Sequence, residues 1–244
     1  VLSGLHLTRG RALSSIGGYT SGGGIYAHSR ALISMDHVLM SDCFISSTTW
    51  SNGGAMTVFF WVLVAIKDSQ ITNCSVVSSG NVQADGGAVA IATGSFMTIE
   101  GSTFTNCRSE SENSYADGGA ISMASSTAYK SPPLIMKTTR FTNCSTRSGG
   151  RNFLWTLGGA LKLVSAAALL EGCVFTGCSV RSTSFASASG GAIWSSYIVT
   201  LSGCTISSCW VHSSLGLAFG GGVRANGALK MDSTVVRGCS AVSI

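Results

Sequence analysis

The chain has 244 residues, of which 45% are hydrophobic and only 10% charged, against roughly 25% charged in an average soluble protein; so much apolar side chain excludes a disordered polymer. Its net charge of +5 comes from scattered Lys and Arg, with no basic run to build a nucleic-acid groove. The longest apolar run, Ala55 to Ile66, is too short for a membrane-crossing helix of about 20 residues.

In chain order, the first feature is LSGLHLTRG, Leu2 to Gly10, which aligns without gaps on LSGCTISSC, Leu201 to Cys209. The chain therefore begins partway through a repeated unit. Glycine pairs then mark seven units, starting at Gly22, Gly53, Gly86, Gly118, Gly158, Gly190 and Gly220. A period in this range points to a solenoid before any other architecture. Each pair leads into Ala or Gly, as in DGGAVAI from Asp85 and DGGAISM from Asp117.

Three short alternating stretches follow each pair. The first holds Val89 and Ile91, Ile121 and Met123, Leu161 and Leu163. The second gives two apolar columns: Val38, Val64, Met97, Leu134, Ala168, Val199, Leu229, and Met40, Ile66, Ile99, Met136, Leu170, Leu201, Met231. The third gives Ile45, Ile71, Phe104, Phe141, Phe175, Ile206 and Val236, and ends on a cysteine in every unit but the first. Alternation over short stretches means strands with one buried face.

Three such strands per unit predict one coil of a right-handed single-stranded parallel β-helix, an all-β solenoid. About seven coils plus a partial N-terminal coil are expected, as a single domain over residues 1–244. Neither end has the polar cap that solenoids need, so a segment of a longer array is expected. Equivalent residues should stack about 4.8 Å apart. The glycine pair suits a sharp turn, because glycine reaches positive φ and allows close backbone approach. An outward column supports the register: Ser41, Lys67, Glu100, Lys137, Glu171, Ser202, Asp232 alternates in sign over four coils, and opposite charges on adjacent strands attract.

GGAI at Gly118–Ile121 and Gly190–Ile193, with variants at Gly86–Val89, Gly53–Met56 and Gly158–Leu161, is followed downstream by Phe104, Phe141 and Phe175. In these motifs the sequence resembles the chlamydial polymorphic outer-membrane proteins, surface adhesins with a repeat passenger domain. The family's Asn is replaced by Cys107, Cys144 and Cys178, which looks more like repeats of large protist surface or secreted proteins. The resemblance implies a β-helix at the cell surface or outside the cell. It implies an adhesive role rather than a reaction, since activities are carried by sites added to a fold.

All nine cysteines fall into two columns: Cys74, Cys107, Cys144, Cys178, Cys209, Cys239, and Cys43, Cys173, Cys204. The spacing of stacked coils allows a disulfide ladder, yet side chains on in-register parallel strands point the same way. Buried unpaired thiols are the favoured reading. No Cys-x-x-Cys and no accompanying His suggests a metal site among them.

Glycoside hydrolysis would require two carboxylates. The best acidic constellation is Asp85 stacked with Asp117, with Asn52 one coil away. It is a weak candidate for calcium or sugar; bonding of turn amides by Asx side chains explains it more simply. The histidines, His6, His28, His37 and His212, share no column with one another. No cofactor is expected. A hydroxyl column, Ser46, Thr72, Thr105, Thr142, Thr176, Ser207, offers ice binding as a minor alternative, although Arg237 ends it.

Loops of about a dozen residues are expected between the third strand and the next glycines. They carry Trp50, Phe153, Trp155, Phe185, Trp210, Leu215 and Phe219. Tyr26, Phe59, Trp61 and Trp194 should face outward on strands. Low charge with this apolar content suggests a surface that is covered in the working state; Trp50, Trp155, Trp194 and Trp210 are the candidate partner contacts. The expected role is a non-catalytic rigid rod with an adhesive loop edge. Its partners would be other protein subunits, copies of itself along a fibre, or glycans. A carbohydrate-active enzyme or carbohydrate-binding module is the alternative.

Overall fold

A computed structural model shows a β-solenoid with no helix among the described residues, which are 1–14, 19–124, 131–149, 155–183 and 185–244. Five parallel sheets, three of eight strands and two of seven, run along its length. A full coil supplies one strand to each sheet. In one coil these are Ala84–Asp85, Val89–Ala92, Phe96–Glu100, Thr103–Thr105 and Arg108–Ser111, the first to fifth strands below.

The expected stacking is present: Ile99 pairs with Met136, Phe104 with Phe141, and Arg108 with Ser145 beside Cys107 and Cys144. Phe104, Phe141 and Phe175 stack face to face with ring centroids 4.9 and 4.8 Å apart, the strand spacing itself. Each such buried ring contributes on the order of 1.5–3 kcal/mol.

The first full coil sits in a different register from the expected one. Ile33 and Met35, not Val38 and Met40, pair with Val64 and Ile66, and Met40 rather than Ile45 pairs with Ile71. Phe44 pairs with Ser75, which sets Cys43 beside Cys74. Cys43 therefore belongs to the long cysteine column and not with Cys173 and Cys204. The reason is spacing: Cys43 follows Gly22 by as many residues as Cys74 follows Gly53, and FISST lies beyond that point. Asp36 replaces Ser41 opposite Lys67, so the charge column alternates over five coils, with Lys137 Nζ 3.1 Å from Glu171. Ser41, not Ser46, faces Thr72 in the hydroxyl column.

The expected three strands are the second, third and fourth of each coil. The first and fifth come from stretches expected to be loop, which shortens the connection between them to segments such as 112–115. A serine column, buried from Ser47 to Ser213, explains why these stretches are ordered. Ser14, Ser47, Ser78, Ser111, Ser148, Ser182, Ser213 and Ser243 are in register along the fifth sheet. Ser111 Oγ donates to the Val82 carbonyl at 3.1 Å and Ser213 Oγ to the Ala186 carbonyl at 3.0 Å, closing the turn into the first strand.

The glycine pair shapes the cross-section. Gly118 has φ of 55°, the left-handed region that favours glycine. At Gly119 a Cβ would lie 2.1 Å from the Gly159 carbonyl oxygen and 2.5 Å from Ser145 N and O. The pair thus presses against the start of the fifth strand across the lumen and pinches the tube at a waist. One lobe holds the main core of the second to fourth strands, including Met97, Ile121, Met136 and Phe141. The smaller lobe lies between the first and fifth strands, with Ile45, Val76 and Ala84, and further along Val180, Ala188 and Val211.

Candidate functional site

Outside the waist, the first and second strands face each other across a trough. One wall is the register column Ser21, Asn52, Asp85, Asp117, Leu157, Ser189, Phe219. The other is Tyr26, Thr57, Ala90, Ser122, Lys162, Trp194, Arg224. The second column alternates with core residues and so points out of the tube. Thr57, Ala90, Ser122, Lys162 and Trp194 are nevertheless buried, because the opposite wall covers them.

The middle of the trough is filled by charge. Lys162 Nζ lies 2.5 Å from Asp117 Oδ2 and 3.5 Å from Asp85 Oδ1. Gln83 Nε2 donates to both carboxylates, at 2.9 Å to Asp85 and 2.8 Å to Asp117. Ser122 Oγ donates to Asp85 Oδ1 at 3.1 Å. Asp117 is only 2% exposed and Lys162 6%. Burial, with the neighbouring Asp85 charge, pushes the Asp117 carboxyl up to about 6 against the pull of Lys162. The two carboxylates more than offset the burial of Lys162 and hold its ammonium above its ordinary value.

Beyond the ion cluster the trough widens into a cavity of about 500 Å³. Trp155 and Phe219 stack at 6.1 Å, and the Arg224 guanidinium lies 4.1 Å from the Phe219 centroid and 4.9 Å from that of Trp155. Ser189 Oγ accepts from Arg224 Nη1 at 2.5 Å and Asn226 Oδ1 from Nε at 3.2 Å. Toward the N-terminal coils the trough opens again, between Tyr19, Tyr26, Phe59 and Phe60.

The predicted site residues divide as follows. Asp85 and Asp117 do stack, as their register requires. The positive charge they would otherwise draw from a metal ion comes from Lys162. Trp155 and Trp194 line the same cavity. Trp194, expected on the surface, is only 8% exposed, because its strand faces the trough and not open solvent. Trp50 packs on Tyr19 at the N-terminal opening of the trough with ring centroids 6.3 Å apart, Trp210 is exposed on the fifth strand of its coil, and Phe153 lies outside the described residues. Trp61, also expected to face outward on a strand, is 49% exposed in the turn between the strands Met56–Phe59 and Leu63–Lys67.

All nine cysteines are free thiols, and eight of them are buried. Burial, followed by the hydrogen bond with Cys107, pushes the Cys144 thiol well above its usual range. Asp36, His37 and Asp68 bring potential metal ligands within 4.8 Å of one another at the surface, where His37 Nδ1 and Asp36 Oδ1 are already paired at 2.9 Å.

Lys162, Arg224 and Gln83 were not legible as site residues. Lys162 looks like a surface residue between core Leu161 and Leu163. The available signal was its place one coil after Ser122 in an outward column that carries only one other charge, Arg224.

The chain is thus a β-solenoid with a lateral, partly charged, aromatic-ended trough. No family model matches it, and no curated protein or solved structure matches it either.

Proposed function

We propose that this chain is a non-catalytic structural and adhesive β-solenoid of a surface or secreted protein. It acts as a rigid rod whose loop edge contacts further protein subunits or copies of itself. The carrying observation is the uninterrupted register of equivalent residues through every coil, from Leu2 to Met231 along one column. Such a stack resists bending, because each coil is hydrogen-bonded to the next through five sheets.

The ion cluster supports the same reading. Both trough carboxylates turn onto one ammonium instead of facing each other across a cavity, and an ammonium held in its charged form is a poor general base. Along the edge between the fifth and first strands, Trp50, Phe185, Leu215 and Leu217 are exposed. Sedimentation velocity tests the edge. The wild-type chain should associate with rising concentration, and a variant with these four residues changed to Ser should not. A wild-type chain that stays monomeric in the millimolar range would refute association through this edge.

One observation favours a second reading, a carbohydrate-active enzyme: Asp117 titrates at about 6 beside an aromatic-walled cavity, in the range of a working acid or base. Release of new reducing ends from a polysaccharide, lost in Asp117→Asn, would support it.

A further inference from the structure

We propose that the wide end of the trough is a binding site for a neutral saccharide chain. This goes beyond the rod reading and does not depend on it. The site is a cavity of about 500 Å³, within the ordinary size of small-ligand sites, bounded by Tyr115, Asp117, Trp155, Lys162, Trp194 and Arg224.

Two polar atoms of residues that bound it carry the assignment. Asp117 Oδ1 and Trp194 Nε1 are buried and have no hydrogen-bond partner among the described residues. One only accepts and the other only donates. Leaving such atoms unpaired is costly, so they call for a ligand group able to give and to take a hydrogen bond. A sugar hydroxyl does both. The aromatic walls fit the apolar faces of a sugar ring, as indole and phenol rings combine a flat apolar body with a polar tip.

Charge selects among saccharides. Asp85 and Asp117 are balanced by Lys162 and Arg224, so the site has no surplus positive charge to attract a uronate or sulfated sugar. An extended peptide fits less well. Peptides commonly bind by adding a strand to an open sheet edge, whereas the trough walls are strand faces already paired to coils on both sides. The residues stand on strands of a closed stack, and Arg224 is held by Ser189 and Asn226, so little ordering accompanies binding.

The test is isothermal titration of the full chain at neutral pH with cellohexaose, xylohexaose, mannohexaose and chitohexaose, and with hexagalacturonate as the anionic comparison. Saturable one-to-one binding of at least one neutral hexasaccharide is expected. Trp155→Ala, at a half-exposed position, should weaken it about tenfold or more. Trp194→Phe keeps the ring and removes the donor, and should weaken it by up to about tenfold, the worth of one neutral hydrogen bond. Trp210→Ala, away from the trough, should leave it unchanged. Three results would each overturn the proposal: no saturable binding of any neutral hexasaccharide in the millimolar range, preference for hexagalacturonate, or affinity unchanged in both Trp155→Ala and Trp194→Phe.

Discussion

Replacing Lys162 with Met removes the ammonium from the centre of the trough while keeping most of the side-chain volume. Lys162 and Asp117 are almost fully buried, so the change strands Asp117 and Asp85 without their counter-charge. Breaking a buried pair from one side typically costs about 3–5 kcal/mol, and that is the loss expected near pH 8. The pH dependence follows from Asp117. Its folded value of about 6 lies above its ordinary 3.8, so the folded chain holds this proton more tightly than the unfolded chain does. Its contribution to stability therefore declines as pH rises from about 4 to about 6, by on the order of 3 kcal/mol. Lys162 behaves oppositely at the alkaline end. Its folded value is raised, so its contribution is complete below its ordinary 10.5 and is lost as pH rises through the folded value. Without Lys162, Asp117 loses the main influence that lowers it and climbs further. The variant should then be close to wild type at pH 5, where Asp117 is largely protonated, and much weaker at pH 8. Urea unfolding followed by circular dichroism at both pH values measures this. A loss below about 1 kcal/mol at pH 8, or equal losses at both pH values, would refute the argument that the cluster is a buried, mutually compensating set.

Two further outcomes test the fold. Gly119→Ala adds a methyl against the Gly159 and Ser145 backbone without any positive-φ strain, whereas Gly203→Ala adds one in nearly open space at φ of 60°. Urea titration should show Gly203→Ala costing about 1–2 kcal/mol and Gly119→Ala costing more; the reverse order would contradict the waist. The eight buried thiols should resist Ellman's reagent in the folded chain and all nine should react in guanidinium chloride, with rapid reaction of several thiols in the native chain counting against a sealed column.

The main lobe was legible because its residues alternate with period two and recur at the coil period, so Phe104, Phe141 and Phe175 announce themselves. The smaller lobe was not, because its strands are built from serine and small aliphatics. SVVS from Ser75 to Ser78 reads as loop until the serine four residues after every cysteine of the long column is noticed. The first coil was misplaced for a related reason. Val38, Met40 and Ile45 are themselves buried, so apolar content alone could not choose between registers, and only the glycine-to-cysteine spacing could. Of the site, the stacked acids were visible and their partner was not. Alternation sorts residues into inward and outward, and it has no category for an outward residue that a second wall encloses.

That enclosure follows from the same glycines that repeat along the chain. A tube of three sheets has a convex outline, and its outward residues meet solvent. When the backbone at Gly119 closes on Ser145, the outline turns inward there, and the first and second strands must face each other across the bend. Outward side chains on both then converge, and a single lysine can reach carboxylates from two successive coils. The waist persists while the trough lining varies from coil to coil, from Tyr26 through Ser122 and Lys162 to Trp194 and Arg224. The repeated element therefore carries the shape, and the unrepeated column beside it carries whatever specificity the trough has.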